Sequence, residues 1–296
     1  MIRHLVSAEE AGLLLRDLLR GRLKLSHRSL SALKRKENGI RVNGSHRTVR
    51  TLLQEGDEIL LDTNDETSSP IVPQPLSLTI LYEDEYITAC YKPSGMPTHP
   101  SHNHHEDTLA NALAYRYRDT AYVFRAIGRL DRETDGVVLT ARCPHAASLL
   151  GLAMQKGEIE KEYYAITRGL PPERGEITAP IKRVSDSIIL REVAEDGDAA
   201  HTVFERVAVK DGLALLRVKP LTGRTHQIRV HLASIGFPLC GDCFYGEALP
   251  HERTLLHAHT LCFFHPITRE EMRIEAPFPE DFIRLFPAFC KQKKPL

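Results

Sequence analysis

Tryptophan is absent from the 296 residues, and so is any net charge, since 39 Lys and Arg stand against 39 Asp and Glu. The missing tryptophan excludes nothing. The zero balance argues neither for nor against a polyanionic partner until its distribution along the chain is considered. No apolar run approaches the ~20 residues that a bilayer-spanning helix needs, so no membrane span is expected. The opening residues, Met1 to Val6, lack the apolar core of a secretory signal, and the cytoplasm is the expected location. Cysteine is sparse and unframed, at 90, 143, 240, 243, 262 and 290, which reads as reduced thiols rather than a disulfide scaffold. There is no internal repeat, no dinucleotide-binding glycine fingerprint and no P-loop, so no cofactor is expected.

What is present is uneven. Eleven basic side chains lie between Arg16 and Arg50, and only Asp17 and Glu37 oppose them. A one-signed block of this density suits phosphate better than it suits an alternating, solvated helix face. Ser7 and Glu10 form a capping box that should start a helix carrying Leu13, Leu14, Leu18 and Leu19. A second helix is expected from Ser29 to about Glu37, with Lys34, Arg35 and Lys36 outward and Asn38-Gly39 as its C-cap. Ile40–Gly44 and Glu58–Leu61 read as short strands. Residues 63–75 are polar and proline-containing, a linker by composition, and 291–296 form a basic tail.

The chain then divides into a small module at 1–62, the linker, a large domain at 76–290, and the tail. In the large domain strands outnumber helices and do not alternate with them, which favours α+β over a doubly wound fold. The expected catalytic domain is a mainly antiparallel mixed sheet with flanking helices. Helices are expected at 109–118, 146–155 and 226–234. Strands are expected at 78–82, 86–91, 137–141, 162–167, 202–209, 214–219, 255–264 and 272–276.

The most informative segment is Gly128-Arg129-Leu130-Asp131-Arg132-Glu133-Thr134-Asp135-Gly136, which runs into an apolar strand. A carboxylate at Asp131, beside the Arg129 guanidinium, stays ionised and can serve as nucleophile or general base. Lys161-Glu162-Tyr163-Tyr164-Ala165 places Lys161, Tyr163 and Ala165 on one strand face. From the residues alone, Tyr163 is equally a ring for stacking an extruded base or a core tyrosine with a bonded hydroxyl. Lys92, in the rigid turn Tyr91-Lys92-Pro93-Ser94-Gly95, is equally a phosphate contact or an exposed turn lysine.

These segments, with Gly223-Arg224-Thr225-His226-Gln227-Ile228-Arg229-Val230-His231 and Gly241-Asp242-Cys243-Phe244-Tyr245-Gly246, closely resemble the motifs of the RluA-type pseudouridine synthases. Gly128 and Asp135 stand where that family usually has His and Ser. Residues 1–62 resemble the RNA-binding module named after ribosomal small-subunit protein four, with Arg28, Lys34, Arg35, Lys36 and Arg41 as its RNA-facing cations. The resemblance implies an isomerase of uridine in ribosomal or transfer RNA, ribosomal RNA favoured. It breaks the N-glycosidic bond and rejoins the base through carbon 5 after the nucleotide is flipped out of its stack. It implies Asp131, Tyr163 and Arg229 as catalytic residues, with Arg229 the partner of Asp131. Arg129, Arg224 and Lys92 would contact substrate. Asp135, if close to Asp131, would oppose its ionisation. The expected partner is RNA, with no metal, and the expected state is monomeric. The rival readings are a non-catalytic RNA-binding or ribosome assembly protein on the same fold, a hydrolase using Asp131 and Asp135 as paired carboxylates, and a zinc protein using Cys240, Cys243 and the histidines at 102–105, 257 and 259.

Overall fold

The computed structural model describes residues 1–25, 27–63, 70–187, 189–247 and 253–292, with the side chains of Arg28 and Gln292 left out. Residues 64–69 of the expected linker, 293–296 of the expected tail and the Arg28 side chain lie outside the described residues.

The first strand, β1 (Ile2–Leu5), leads into Ser7, whose N–H donates to the Glu10 carboxylate at 3.0 Å. The capping box is there, but it opens only a 3-10 turn at Ala8–Glu10. The chain turns at Gly12, and the helix expected from Ser7 begins at Leu15 instead, as α1 (Leu15–Gly21). The second helix, α2 (His27–Arg35), starts earlier than expected and ends before Lys36. After it come β2 (Ile40–Val42), β3 (Ser45–His46) and β4 (Glu58–Leu61). The four strands pair antiparallel in the order β1-β4-β2-β3. Leu15, Leu18, Leu19, Leu30 and Leu33 of the helices bury against Ile40, Ile59 and Leu61 of the sheet. This core is separate from the others, although Tyr86 packs on both it and its neighbour.

The rest of the chain adds β5 (Thr79–Glu83), β6 (Ile87–Lys92), α3 (Leu109–Arg116), β7 (Asp135–Ala141), α4 (Pro144–Gln155) and β8 (Glu160–Arg168). Next come β9 (Arg174–Ile177), β10 (Ile181–Arg183), β11 (Arg191–Val193), β12 (Thr202–Lys210), β13 (Leu213–Pro220) and α5 (Gln227–Ser234). The last elements are β14 (Leu256–Phe264), β15 (Glu271–Glu275), α6 (Glu280–Leu285) and α7 (Pro287–Gln292). Among the described residues, nine strands make one sheet in the order β5-β6-β7-β14-β8-β13-β12-β9, with β15 also paired to β14. The fold is therefore α+β with a mainly antiparallel sheet, as expected. Among the described residues, only β7 and β14 run parallel. The hairpin β10-β11 stands apart.

Both faces of this sheet are covered, because alternate side chains point opposite ways. Ala165, Leu216 and Val218 pack on Ile228 and Leu232 of α5. Their neighbours Tyr164, Ile166 and Leu215 pack on Phe278, Phe282 and Phe286 at α6 and beyond. Likewise Val137 and Leu139 meet Ala146 and Leu150 of α4, while Cys90 and Val138 meet Leu109 and Leu113 of α3.

One row of residues across the sheet sets the position of the Asp131 turn. Gly136 pairs with Ala258, Ala258 with Tyr163, and Tyr163 with Val218. Gly136 has φ +121°, and a side-chain carbon there would run into the Ala258 carbonyl. Glycine is what lets β7 approach β14 this closely. The turn that carries Asp131 is thereby held two strands from Tyr163.

Candidate active site

Asp131 sits in the turn just before β7. The Thr134 N–H closes that turn on the Asp131 carbonyl at 3.1 Å. The segment Lys92–Thr98 clamps it from behind. Ser94 Oγ donates to the Glu133 carbonyl at 2.8 Å, the Gly95 N–H to Arg132 at 2.9 Å, and Thr98 Oγ1 to Leu130 at 3.0 Å. The Lys92 ammonium donates to the carbonyls of Pro93, Met96 and Arg132, at 3.0, 2.7 and 3.1 Å. Lys92 is 0% exposed, so the expectation that it contacts substrate is corrected. Its three donors are all spent on backbone, and it positions the turn. Burial pulls its pKa down to about 8.

The Asp131 carboxylate faces a cavity of about 810 Å³, within the ~300–1,000 Å³ typical of ligand sites. Leu130, Thr134, Tyr163, Ile228, Arg229 and Leu256 line it, with the loop 219–227 along one side. Arg229 Nη1 lies 3.6 Å from Asp131 Oδ2. Its stronger tie is to Asp242, which it grips through Nε and Nη2, both at 2.7 Å. Asp242 also accepts the N–H groups of Phe244 and Tyr245, at 3.0 and 3.3 Å. Arg229 is 1% exposed, with the rings of Phe244 and Tyr245 about 5 Å from its guanidinium carbon. Burial works against its charge, but the bond to Asp242 and the charge of Asp131 outweigh it and hold its pKa above the ordinary value. A bidentate guanidinium–carboxylate pair fixes orientation as well as charge. It aims the remaining nitrogen of Arg229 at Asp131.

Tyr163 joins the same cavity from β8. Its hydroxyl has no hydrogen-bond partner among the described residues, while burial and the Asp131 charge push its pKa up. Its sequence neighbour Tyr164 points to the opposite core, among Phe278, Phe289 and His259. Thr134, also lining the cavity, buries its Oγ1 without a hydrogen-bond partner among the described residues.

Three residues here were not singled out from the sequence. Asp242 is the main partner of Arg229. His226, in a left-handed conformation at φ +58°, shares a hydrogen bond with Tyr245 Oη at 2.7 Å and sits 4.0 Å from Asp131. Burial pushes its pKa below the ordinary histidine value. Both lie inside recognised motif strings, but a string does not say which members touch. Gln227 pins the loop by accepting from Thr222 Oγ1 and the Arg224 N–H and donating to the His201 carbonyl and Thr202 Oγ1.

Other expectations need correction. Arg129 does not flank Asp131 as an ion pair, since its guanidinium donates to Thr225 Oγ1 at 2.6 Å across the cavity mouth. Arg224 lines the mouth and is tied to the Ala199 carbonyl at 3.0 Å and Asp198 at 3.6 Å. Asp135 does not face Asp131. It is 1% exposed and lines a different cavity, accepting from Tyr91 Oη at 2.6 Å and Arg253 at 3.2 Å, with His257 Nδ1 at 3.3 Å. Burial opposes its charge, but His257, Arg253 and Tyr91 outweigh it and hold its pKa below the ordinary value. Gly128 has φ +88°, a conformation that a side chain would strain, and it opens on the cavity. Lys34 and Arg35 are exposed on α2, Lys36 bonds to the Asp62 carbonyl at 3.2 Å, and Arg41 contacts the Met1 sulfur. Among the described residues no group of three or more His, Cys, Asp or Glu is placed to hold a metal, and no helix is long and apolar enough to cross a membrane.

Comparison with known proteins gives this geometry a family. The family model described as RNA pseudouridylate synthase matches residues 86–234, the span from β6 through α5. RNA pseudouridine synthase YjbO of Bacillus subtilis is 37% identical over 270 residues, covering 90% of this chain and 95% of that protein. Ribosomal large subunit pseudouridine synthase D of Pseudomonas aeruginosa is 35% identical over 270 residues, covering 84% of this chain and 83% of that one. The solved structure of human RNA pseudouridylate synthase domain containing 1 superposes with a TM-score of 0.58 at 27% identity, over 69% of this chain and 84% of that one. The family match and the extent of these similarities place it plainly: the chain belongs to the RluA-type RNA pseudouridine synthases.

Proposed function

We propose that Asp131 is the carboxylate that acts on the target uridine, and that the target lies in ribosomal RNA. The reading rests on one observation: Asp131, the Arg229 guanidinium 3.6 Å away and the Tyr163 ring line a single cavity. A stacked uridine cannot reach such a carboxylate, so the nucleotide must be extruded, at a cost of a few kcal/mol. Tyr163 then stacks on the base, and Arg229 keeps Asp131 charged and aimed. The bond from C1′ to N1 breaks and one from C1′ to C5 forms. N1 gains a proton and C5 loses one, so no outside group is consumed. Arg224 and Arg129 guide RNA into the mouth. The basic block of the first 62 residues acts as an RNA-binding module of the type named after ribosomal small-subunit protein four. Its exposed Lys34 and Arg35 contribute phosphate contacts, and Arg41 lies beside them in sequence on the neighbouring strand. The enzyme works as a cytoplasmic monomer. The rRNA target is supported by relatives named as ribosomal large subunit enzymes.

The test is tritium release from RNA labelled at uridine C5. Wild-type protein should release tritium from unmodified ribosomal transcripts, and Asp131→Asn should release none while binding the same RNA within about threefold. Retained release by Asp131→Asn would remove Asp131 from its role. Release from transfer RNA alone would move the target.

A further inference from the structure

The charged side chains that line the cavity are almost all spoken for. Arg229 is held by Asp242, Arg224 by Asp198 and the Ala199 carbonyl, Lys219 by Glu160 at 3.8 Å, and Arg129 by Thr225. Lys161 is different. It lines the cavity from β8, yet among the described residues it has neither an ion pair nor a hydrogen bond. Its ammonium lies about 4.0 Å from where a side-chain carbon on Gly223 would stand, so the rim of the loop is open beside it. Leaving a partly buried ammonium unpaired is costly, and folded proteins rarely keep one without use. Burial depresses its pKa with no charge partner to restore it.

Its place on the strand says what it would meet. Lys161 and Tyr163 share one face of β8, two residues and so about 7 Å apart. In the register, Tyr163 lies in the row of Gly136 and Ala258, beside the Asp131 turn, while Lys161 pairs with Leu261, farther from it. A uracil stacked on Tyr163 with its ribose at Asp131 has its phosphodiester one sugar away. We propose that Lys161 is the phosphate contact of the flipped nucleotide, its ammonium bonding a non-bridging oxygen of the phosphodiester that adjoins the target uridine. This rests on the assignment of Asp131 and Tyr163 above. An ammonium is a point charge with rotatable donors, which suits a phosphate whose approach varies.

The test uses the full chain and an unmodified ribosomal RNA transcript. Affinity is measured from low to moderate salt for wild type, Lys161→Met and Lys161→Arg, with single-turnover tritium release alongside. Lys161→Met keeps the apolar stem and should weaken binding about tenfold and lower the slope of log Kd against log salt by about 0.7–0.9, one phosphate contact. Lys161→Arg should restore the slope. An unchanged slope in Lys161→Met, with its circular dichroism unaltered, overturns the proposal. So does a loss of affinity at constant slope, which would place the ammonium on a uracil carbonyl. Asp131→Asn, run in parallel, separates the two readings. Retained turnover there fails the site assignment, whereas an unchanged slope in Lys161→Met fails the phosphate contact alone.

Discussion

Arg229 shows how a single buried charge is managed. Its guanidinium is surrounded by Asp242, Asp131, Phe244 and Tyr245, and removing one partner of such a pair leaves an uncompensated charge that costs roughly 3–5 kcal/mol. Asp242→Asn keeps the shape and loses the charge, so it should lower stability by about that amount in chemical denaturation and depress turnover as Arg229 swings. Unchanged stability would mean that Asp131 alone balances Arg229. A second residue reads out in pH. His145 is 3% exposed near the start of α4, its Nδ1 has no hydrogen-bond partner among the described residues, and burial holds its pKa near 4. Its folded pKa lies below the unfolded ~6.5, so this stability is complete above pH ~6.5 and is lost as pH falls toward 4, up to about 3 kcal/mol. Stability measured from pH 7 to 4 should fall less steeply in His145→Asn than in wild type. Equal slopes would exclude His145 as the source.

At this scale the sequence is informative where chemistry is local. Asp131, Tyr163 and Arg229 stand in short strings whose order carries the resemblance, and they do converge on one cavity. Lys92 is ambiguous in the sequence because a lysine in a Pro-Gly turn is ordinarily exposed, and only the fold shows its ammonium among three carbonyls. Asp135 misleads because four residues from Asp131 in sequence suggests proximity, whereas entry into a strand turns it to another face.

Elements position these residues through pairings that periodicity does not reveal. The strands of the large sheet are legible within a few residues at most positions, but the place of β14 between β7 and β8 is not, because strand order depends on contacts about 120 residues apart in sequence. The helix expected from Ser7 fails for a local reason, a capping box that closes on a 3-10 turn. Gly136 is where element packing is most exposed to test. Gly136→Ala adds a methyl against the Ala258 carbonyl in a backbone conformation that alanine resists. It should destabilise the protein by more than about 3 kcal/mol and abolish tritium release, even from material that remains folded by circular dichroism. Near-normal stability would mean that β7 can shift away from β14 without loss.

For the whole molecule, neutrality conceals a basic end facing an otherwise acidic balance. Of the ten cations between Arg16 and Arg50 whose side chains are described, eight, Lys34 and Arg35 among them, are exposed. Lys34→Glu combined with Arg35→Glu should lower the salt slope of RNA binding by about 1–2 and leave the tritium-release rate of saturated complex unchanged. An unaltered slope would put the RNA elsewhere. The two sheets meet where the N-terminal ammonium pairs with Glu85 at 2.9 Å and Tyr86 Oη donates to the Met1 carbonyl at 3.3 Å. The first residue of the chain therefore touches the turn that enters β6.

The position of β14 has a consequence for synthesis. It is the bridge between β5-β6-β7 on one side and β8-β13-β12-β9 on the other. A nascent chain that has emerged as far as Gly246 already holds Asp131, Tyr163, Arg229 and Asp242, but no strand pairing yet joins the half-sheet bearing the first to the half-sheet bearing the second. Closing contacts so distant in sequence is slow. The cavity that Asp131, Tyr163 and Arg229 share is thus completed late, only after Leu256–Phe264 has been made and has zipped the halves together.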